Sequence, residues 1–184
     1  MLNIGNSIKE QVYLTNARSV QNLLNQTFFS NILIMLFTIL CYQQATAQEI
    51  KEVKEVVARL DTKNAERLNS LMYDLQTTIY LENGEMKIFG DGMPVYVKAD
   101  VHSIKKMSEK NSKFSQVEFL QVNLNELGDE AKVKLTPATI SGLSNLKYIL
   151  VRSSYELNKA QFEKIISSFD GSGITILYEV SIPN

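Results

Sequence analysis

The chain has 184 residues, 45% of them hydrophobic and 21% charged. These are ordinary globular values, which exclude wholesale disorder and fibrous repeats. Lys and Arg number 19 against 20 Asp and Glu, a net charge of −1 that argues against a nucleic-acid partner, whose phosphates need a concentrated positive field. One Cys and one His leave too few ligands for soft-metal or thiol chemistry, so neither a metal nor another cofactor is expected.

Residues 32–41 read ILIMLFTILC, ten apolar residues without a charge. A membrane-spanning helix needs about 20, so the run suits the apolar core of a secretory signal better than a stable anchor. Ala45-Thr46-Ala47 follows, with small residues at the two positions a signal peptidase reads. The expectation is a leader over residues 1–47, cleavage after Ala47 and a secreted or periplasmic protein. Retention of the leader would instead leave the protein membrane-anchored. A lipoprotein site at Cys41 is disfavoured by the bulky Leu40 before it.

Residues 48–76 read as an amphipathic helical segment. Ile50, Val53, Val57 and Leu60 recur at helical spacing, and Leu68, Leu71, Met72 and Leu75 resume the stripe after a break at residues 61–64. Two heptads are too few for a coiled coil, so the stripe is expected to pack on its own domain. Asn83-Gly84 between two β-prone runs predicts a hairpin over residues 77–82 and 85–89. Strand-like runs then follow at residues 94–99, 117–124, 146–153 and 174–182. Helix-like runs separate them at residues 101–110, 137–144 and 158–169. The last has Asn158 as N-cap with Gln161 three residues on. Alternation of strand and helix predicts parallel pairing, and with residues 48–76 the span 77–184 forms a single domain.

Two of these units share a frame. Phe114, Val117, Leu120, Val122 and Asn125 occupy positions 1, 4, 7, 9 and 12, and Leu143, Leu146, Ile149, Val151 and Ser154 repeat them. This resembles the leucine-rich repeat, with weaker echoes at Val95, Val97 and Asp100 and in residues 174–180. The expected fold is therefore α/β, a small parallel sheet of leucine-rich-repeat-like β-α units with an N-terminal helix and β-hairpin. A plain α/β sheet is the competing reading. The resemblance implies that the strand face is the contact surface, which makes Tyr96, Phe119, Gln121, Tyr148 and Arg152 the candidate binding residues. The competing reading is that the crossover helices or the N-terminal helix cover them, as in any two-sided α/β sheet.

Catalytic patterns are weak. Asp100, His102 and Ser103 lie close in sequence but fan out around a helix start, with Asp100 as its N-cap and His102 exposed. Residues 89–92 and 170–173 lack the Lys-Ser/Thr pair of a phosphate loop. Asp129-Glu130 and Lys105-Lys106 read as solvated charge pairs, and no acid–base pair of carboxylates is singled out. The functional expectation is a non-catalytic interaction module with a protein partner. An exported hydrolase using two carboxylates and a membrane-tethered structural protein are the alternatives, the last requiring an uncleaved leader.

Overall fold

The computed structural model describes residues 50–167 and 169–183; the expected leader and its expected cleavage position lie outside them. The protein is an α/β fold with one seven-stranded sheet in the order β1-β7-β6-β5-β4-β2-β3. All neighbouring strands are parallel except the β2–β3 hairpin.

Lys51–Glu52 forms β1, where helix had been expected, and the chain turns at once into α1 (Val53–Arg59). The break expected at residues 61–64 falls at Leu60 and Asp61. Leu60 is extended, and the Asp61 carboxylate accepts from the Asn64 N–H at 3.1 Å to cap α2 (Thr62–Tyr73). β2 (Thr78–Glu82) and β3 (Glu85–Phe89) are joined by Asn83 and Gly84 at φ 51° and 75°, the positive pair that a type I′ turn requires.

β4 (Tyr96–Asp100), β5 (Phe119–Leu124), β6 (Tyr148–Ser153) and β7 (Thr175–Val180) then lie side by side in chain order. Val97, Leu120, Ile149 and Ile176 stand opposite one another across these four strands, as do Ala99, Val122, Val151 and Tyr178. Side chains alternate between faces along a strand, so these rows point to one side. They meet Met107, Phe114, Ile140, Leu143 and Phe162 from the connecting segments in the larger hydrophobic core.

The connections are less helical than expected. Residues 101–110 hold only a 3-10 helix (Ile104–Ser108), followed by another at Ser112–Phe114. Asp100 ends β4 rather than capping an α-helix. Residues 137–144 form turns, anchored where Thr136 and Thr139 hydrogen-bond each other reciprocally. Gly142 explains why a regular helix does not form there. Its N–H donates to the Met107 carbonyl at 2.8 Å, and a Cβ would stand 2.6 Å from that oxygen and 2.5 Å from the Glu109 oxygen. The single turn α3 (Asp129–Lys132) precedes this loop.

α4 (Lys159–Ile165) carries the full capping box between Asn158 and Gln161. It stops early because Ile166 leaves the helix to bridge Leu135. The Leu135 N–H donates to Ile165 O at 2.7 Å, and the Ser167 N–H donates to Leu135 O at 2.8 Å.

The other face of the sheet packs on α1 and α2. Val53, Val56, Leu68 and Leu71 close over Phe119, Tyr148, Leu150 and Leu177 in a second core. The described residues form one compact unit.

Candidate functional site

On the face that α1 and α2 approach, the strand residues form three rungs across the sheet. The first holds Thr78, Tyr96, Phe119, Tyr148 and Thr175; the second holds Tyr80, Lys98, Gln121, Leu150 and Leu177. The third lies at the carboxyl ends of the parallel strands. Asn123, Arg152 and Glu179 are paired there with Asp100, and Glu82 follows Leu81 just as Asp100 follows its partner Ala99. Chemistry changes from rung to rung, from aromatic through mixed to charged.

The five candidate residues do share this face, but they do not form one open surface. Phe119 and Tyr148 are 0% and 7% exposed, and Gln121 is buried as well. The cause is the N-terminal helical segment, whose apolar stripe covers the first rung. Tyr96 meets Phe119 edge-on at 5.1 Å between ring centroids, and Phe119 lies 6.2 Å from Tyr148. These rings are core, and the expectation of an exposed aromatic face is corrected accordingly. Arg152 keeps partial exposure, and its Nε donates to Glu179 Oε2 at 2.7 Å.

A polar chain links the rungs. The Tyr96 hydroxyl donates to Gln121 Oε1, and Gln121 Nε2 donates to Asn123 Oδ1 at 2.6 Å. Burial pushes the Tyr96 hydroxyl up to about 12, so it stays a neutral donor. Lys98 reaches over the Tyr80 ring, with Nζ 5.9 Å from its centroid.

Beyond the third rung the strand ends and following loops enclose a crevice of about 330 Å³, lined by Glu82, Asp100, His102, Asn123, Glu126 and Asp129 among others. The carboxyl edge of parallel strands is where open α/β sheets commonly bind. Two of its carboxylates are occupied. Asp100 accepts from the N–H groups of Asn83 at 2.7 Å and Ser103 at 2.8 Å. Partial burial alone would raise it, but these bonds outweigh that and hold it below the usual carboxylate range.

Asp129 is buried, contrary to the expectation of a solvated pair. It accepts from the N–H groups of Asn125 and Glu126, both at 3.0 Å, and from Lys132 Nζ at 2.9 Å. Burial opposes its ionisation, and the Lys132 ammonium with the two N–H groups prevails, so it too is lowered. Its neighbour Glu130 accepts from the Tyr155 hydroxyl at 2.6 Å.

The His102 side chain stands exposed at the crevice, while buried Ser103 accepts from the Gly84 N–H at 3.0 Å. Asp100 and Ser103 thus serve the hairpin turn and the β4 exit. Among the described residues no group of three or more His, Cys, Asp or Glu is arranged to hold a metal ion.

Residue spacing had not marked the crevice. Glu126 and Asp129 converge with Asp100 only through the parallel register, and the loop after β5 has no periodic pattern to announce them. No protein-family model matches the chain, and comparison with curated proteins and with solved structures finds no match.

Proposed function

We propose that this chain is an exported, non-catalytic protein-interaction module whose leucine-rich-repeat-like units present the third rung and its crevice to a partner with a cationic segment. The observation that carries the reading is the split of the strand face. α1 and α2 cover the aromatic rung, whereas Asp100, Asn123, Arg152 and Glu179 are partly exposed and Glu82 is exposed. Glu82, Asp100, Glu126 and Glu179 outnumber Arg152 and Lys98 here, and a positively charged segment complements that balance. Export rests on the apolar run at residues 32–41 and on Ala45-Thr46-Ala47. Among the described residues no helix is long and apolar enough to cross a membrane.

Binding is favoured over hydrolysis by the state of the crevice carboxylates. A general acid at neutral pH needs a carboxyl group with a raised pKa. Asp100 and Asp129 are held ionised by N–H donors instead.

The test is a photo-crosslinking amino acid placed at Asn123 in the full chain, expressed in its host. The expected result is one defined protein adduct in the exported fraction, lost when Glu82→Lys and Glu179→Lys are added. The same probe at Lys134, in the crossover between β5 and β6, should give no such adduct. Failure to form an adduct at Asn123, or the same adduct from both positions, would overturn the reading.

A further inference from the structure

Asn83-Gly84 is the single Asn-Gly pair in the chain. Such a pair is a reactive setting for asparagine, because glycine has no Cβ to hinder its backbone nitrogen. The Gly84 nitrogen, once it loses its proton, can attack Asn83 Cγ. The new N–Cγ bond closes a cyclic succinimide, the Cγ–Nδ2 bond breaks and ammonia leaves. Water then opens the ring, giving aspartate or an isoaspartate whose backbone runs through the former side chain.

The turn exposes the amide yet restrains the nucleophile. Asn83 is exposed, and among the described residues its carboxamide has no hydrogen-bond partner, so water reaches it and ammonia can leave. The Gly84 N–H instead donates to Ser103 Oγ at 3.0 Å, and Ser103 is 1% exposed. A proton held by a buried hydroxyl is out of reach of hydroxide in solution. The Asn83 N–H donates to Asp100 Oδ2 at 2.7 Å, and φ values of 51° and 75° fix the pair in the type I′ turn. Ring closure needs the peptide between them to turn until the Gly84 nitrogen faces Asn83 Cγ. The Ser103 bond opposes that rotation, and the Asp100 bond keeps the preceding backbone from yielding to it. Both restraints come from outside the hairpin, from the end of β4 and the turn that follows.

We propose that Asn83-Gly84 is a modification site gated by Ser103: the amide survives while the β4 exit grips the turn, and it deamidates when that grip opens. The change runs one way. Isoaspartate lengthens the backbone and breaks the two-residue turn between Glu82 and Glu85, whereas aspartate adds a carboxylate beside Glu82 and Asp100 at the crevice rim. The modified fraction therefore records how long molecules have spent with this turn released. Nothing in this chemistry depends on what occupies the crevice.

The test follows Asn83 by peptide mapping with mass spectrometry while the full chain stands in mildly alkaline buffer, folded or in denaturing urea. Enzymatic methylation specific for isoaspartate identifies that product. The folded wild type should keep its amide under conditions where the urea-unfolded chain loses it. Folded Ser103→Ala should react about tenfold faster than folded wild type, the effect of one hydrogen bond on the barrier. Asp100→Asn keeps the shape of the carboxyl group but weakens its hold on the Asn83 N–H, and should accelerate the reaction by a smaller factor. Leu68→Ala, which loosens the second core far from the turn, should leave the folded rate unchanged. Far-UV circular dichroism confirms that each variant is folded.

Four results overturn the proposal: folded wild type that deamidates at the unfolded rate; folded Ser103→Ala that reacts no faster than wild type; acceleration by Leu68→Ala equal to that by Ser103→Ala; or an Asn83 that keeps its amide in urea.

Discussion

The Arg67 guanidinium on α2 donates to the Glu118 carboxylate at 2.8 Å, while Lys147 reaches the same carboxylate from the entrance of β6 at 3.0 Å. Glu118 also lends its carbonyl to the N–H groups of Lys147 and Tyr148. One residue thereby ties the covering helix to two adjacent strands. Arg67 is partly exposed, so water screens the pair and its direct contribution is modest. Arg67→Met should lower the unfolding free energy by about 0.5–1 kcal/mol, measured by urea denaturation. Glu118→Leu should cost more, because it leaves two cations without their shared anion.

Acid sensitivity follows from the same group. The bonds from Arg67, with those from Lys147, outweigh partial burial and hold Glu118 below its ordinary value. The same direction applies to Asp61, Asp100, Asp129 and Glu130. A carboxylate with a depressed folded pKa contributes stability above its unfolded value, and that contribution is lost as pH falls through the folded value. Urea midpoints should therefore be level near neutrality and drop below about pH 4.5, toward the folded values. Glu118→Gln should have a lower plateau and a shallower fall. A midpoint that rose on acidification would contradict the assigned network.

Three phenols should titrate late, Tyr148 among them because burial raises it. Burial pushes Tyr96 and Tyr155 up to about 12, and the Tyr155 bond to Glu130 adds to the second. Absorbance near 295 nm should show tyrosines ionising well above pH 10 while the chain is folded. Because the folded pKa is raised, the stability these groups contribute is present below pH 10 and lost as pH climbs toward about 12. Tyr96→Phe should remove one late proton and free the Gln121 carboxamide oxygen.

Covering the first rung is an apolar matter. Leu68 and Leu71 are fully buried against Phe119 and its neighbours. Leu68→Ala should cost about 2–5 kcal/mol, as a cavity beside rigid aromatic rings cannot collapse fully. Thermal denaturation checks the magnitude, and retained binding at the third rung would show that cover and contact surface act separately.

Gly142→Ala tests the close approach in the β5–β6 crossover. Its new methyl would meet backbone oxygens of Met107 and Glu109, which cannot swing aside as side chains do. The expected loss is about 1–3 kcal/mol or more, read as a lowered urea midpoint.

Legibility in the sequence tracked the range of the interaction. Asn83-Gly84 and the Asn158–Gln161 capping box are local devices, and both mark their elements directly. The alternation of Leu120 and Val122, or of Ile149 and Val151, marked strands because one face had to be buried. β1 could not be read, since two residues carry no period. The segments at residues 101–110 and 137–144 held apolar residues at helical spacing, yet the crossover is pinned by contacts between them, such as Gly142 on Met107. Placement of Phe119 and Tyr148 was left open between contact surface and core for a related reason. Their outward positions were noted, and the stripe at Val53, Leu68 and Leu71 was expected to pack on its own domain, with cover of the strand face by the N-terminal helix as an open alternative. The two apolar surfaces belong together, and the three-dimensional arrangement decides between those two readings. The convergence of Asp100, Glu126 and Asp129 depended on strand register and was invisible along the chain.

β1 lies against β7, pairing Lys51 with Leu177 and Glu52 with Tyr178. The earliest strand of the described fold is thus completed by the latest. During synthesis the hairpin and the middle strands can assemble as they emerge, but α1 has no Leu177 to rest on until β7 has been made. Joining such distant segments is slow relative to local pairing. A chain cut short before Thr175 would retain most of its strands yet lose β1's pairing partner and the Leu177 wall of the second core, leaving α1 seated on Phe119, Tyr148 and Leu150 alone.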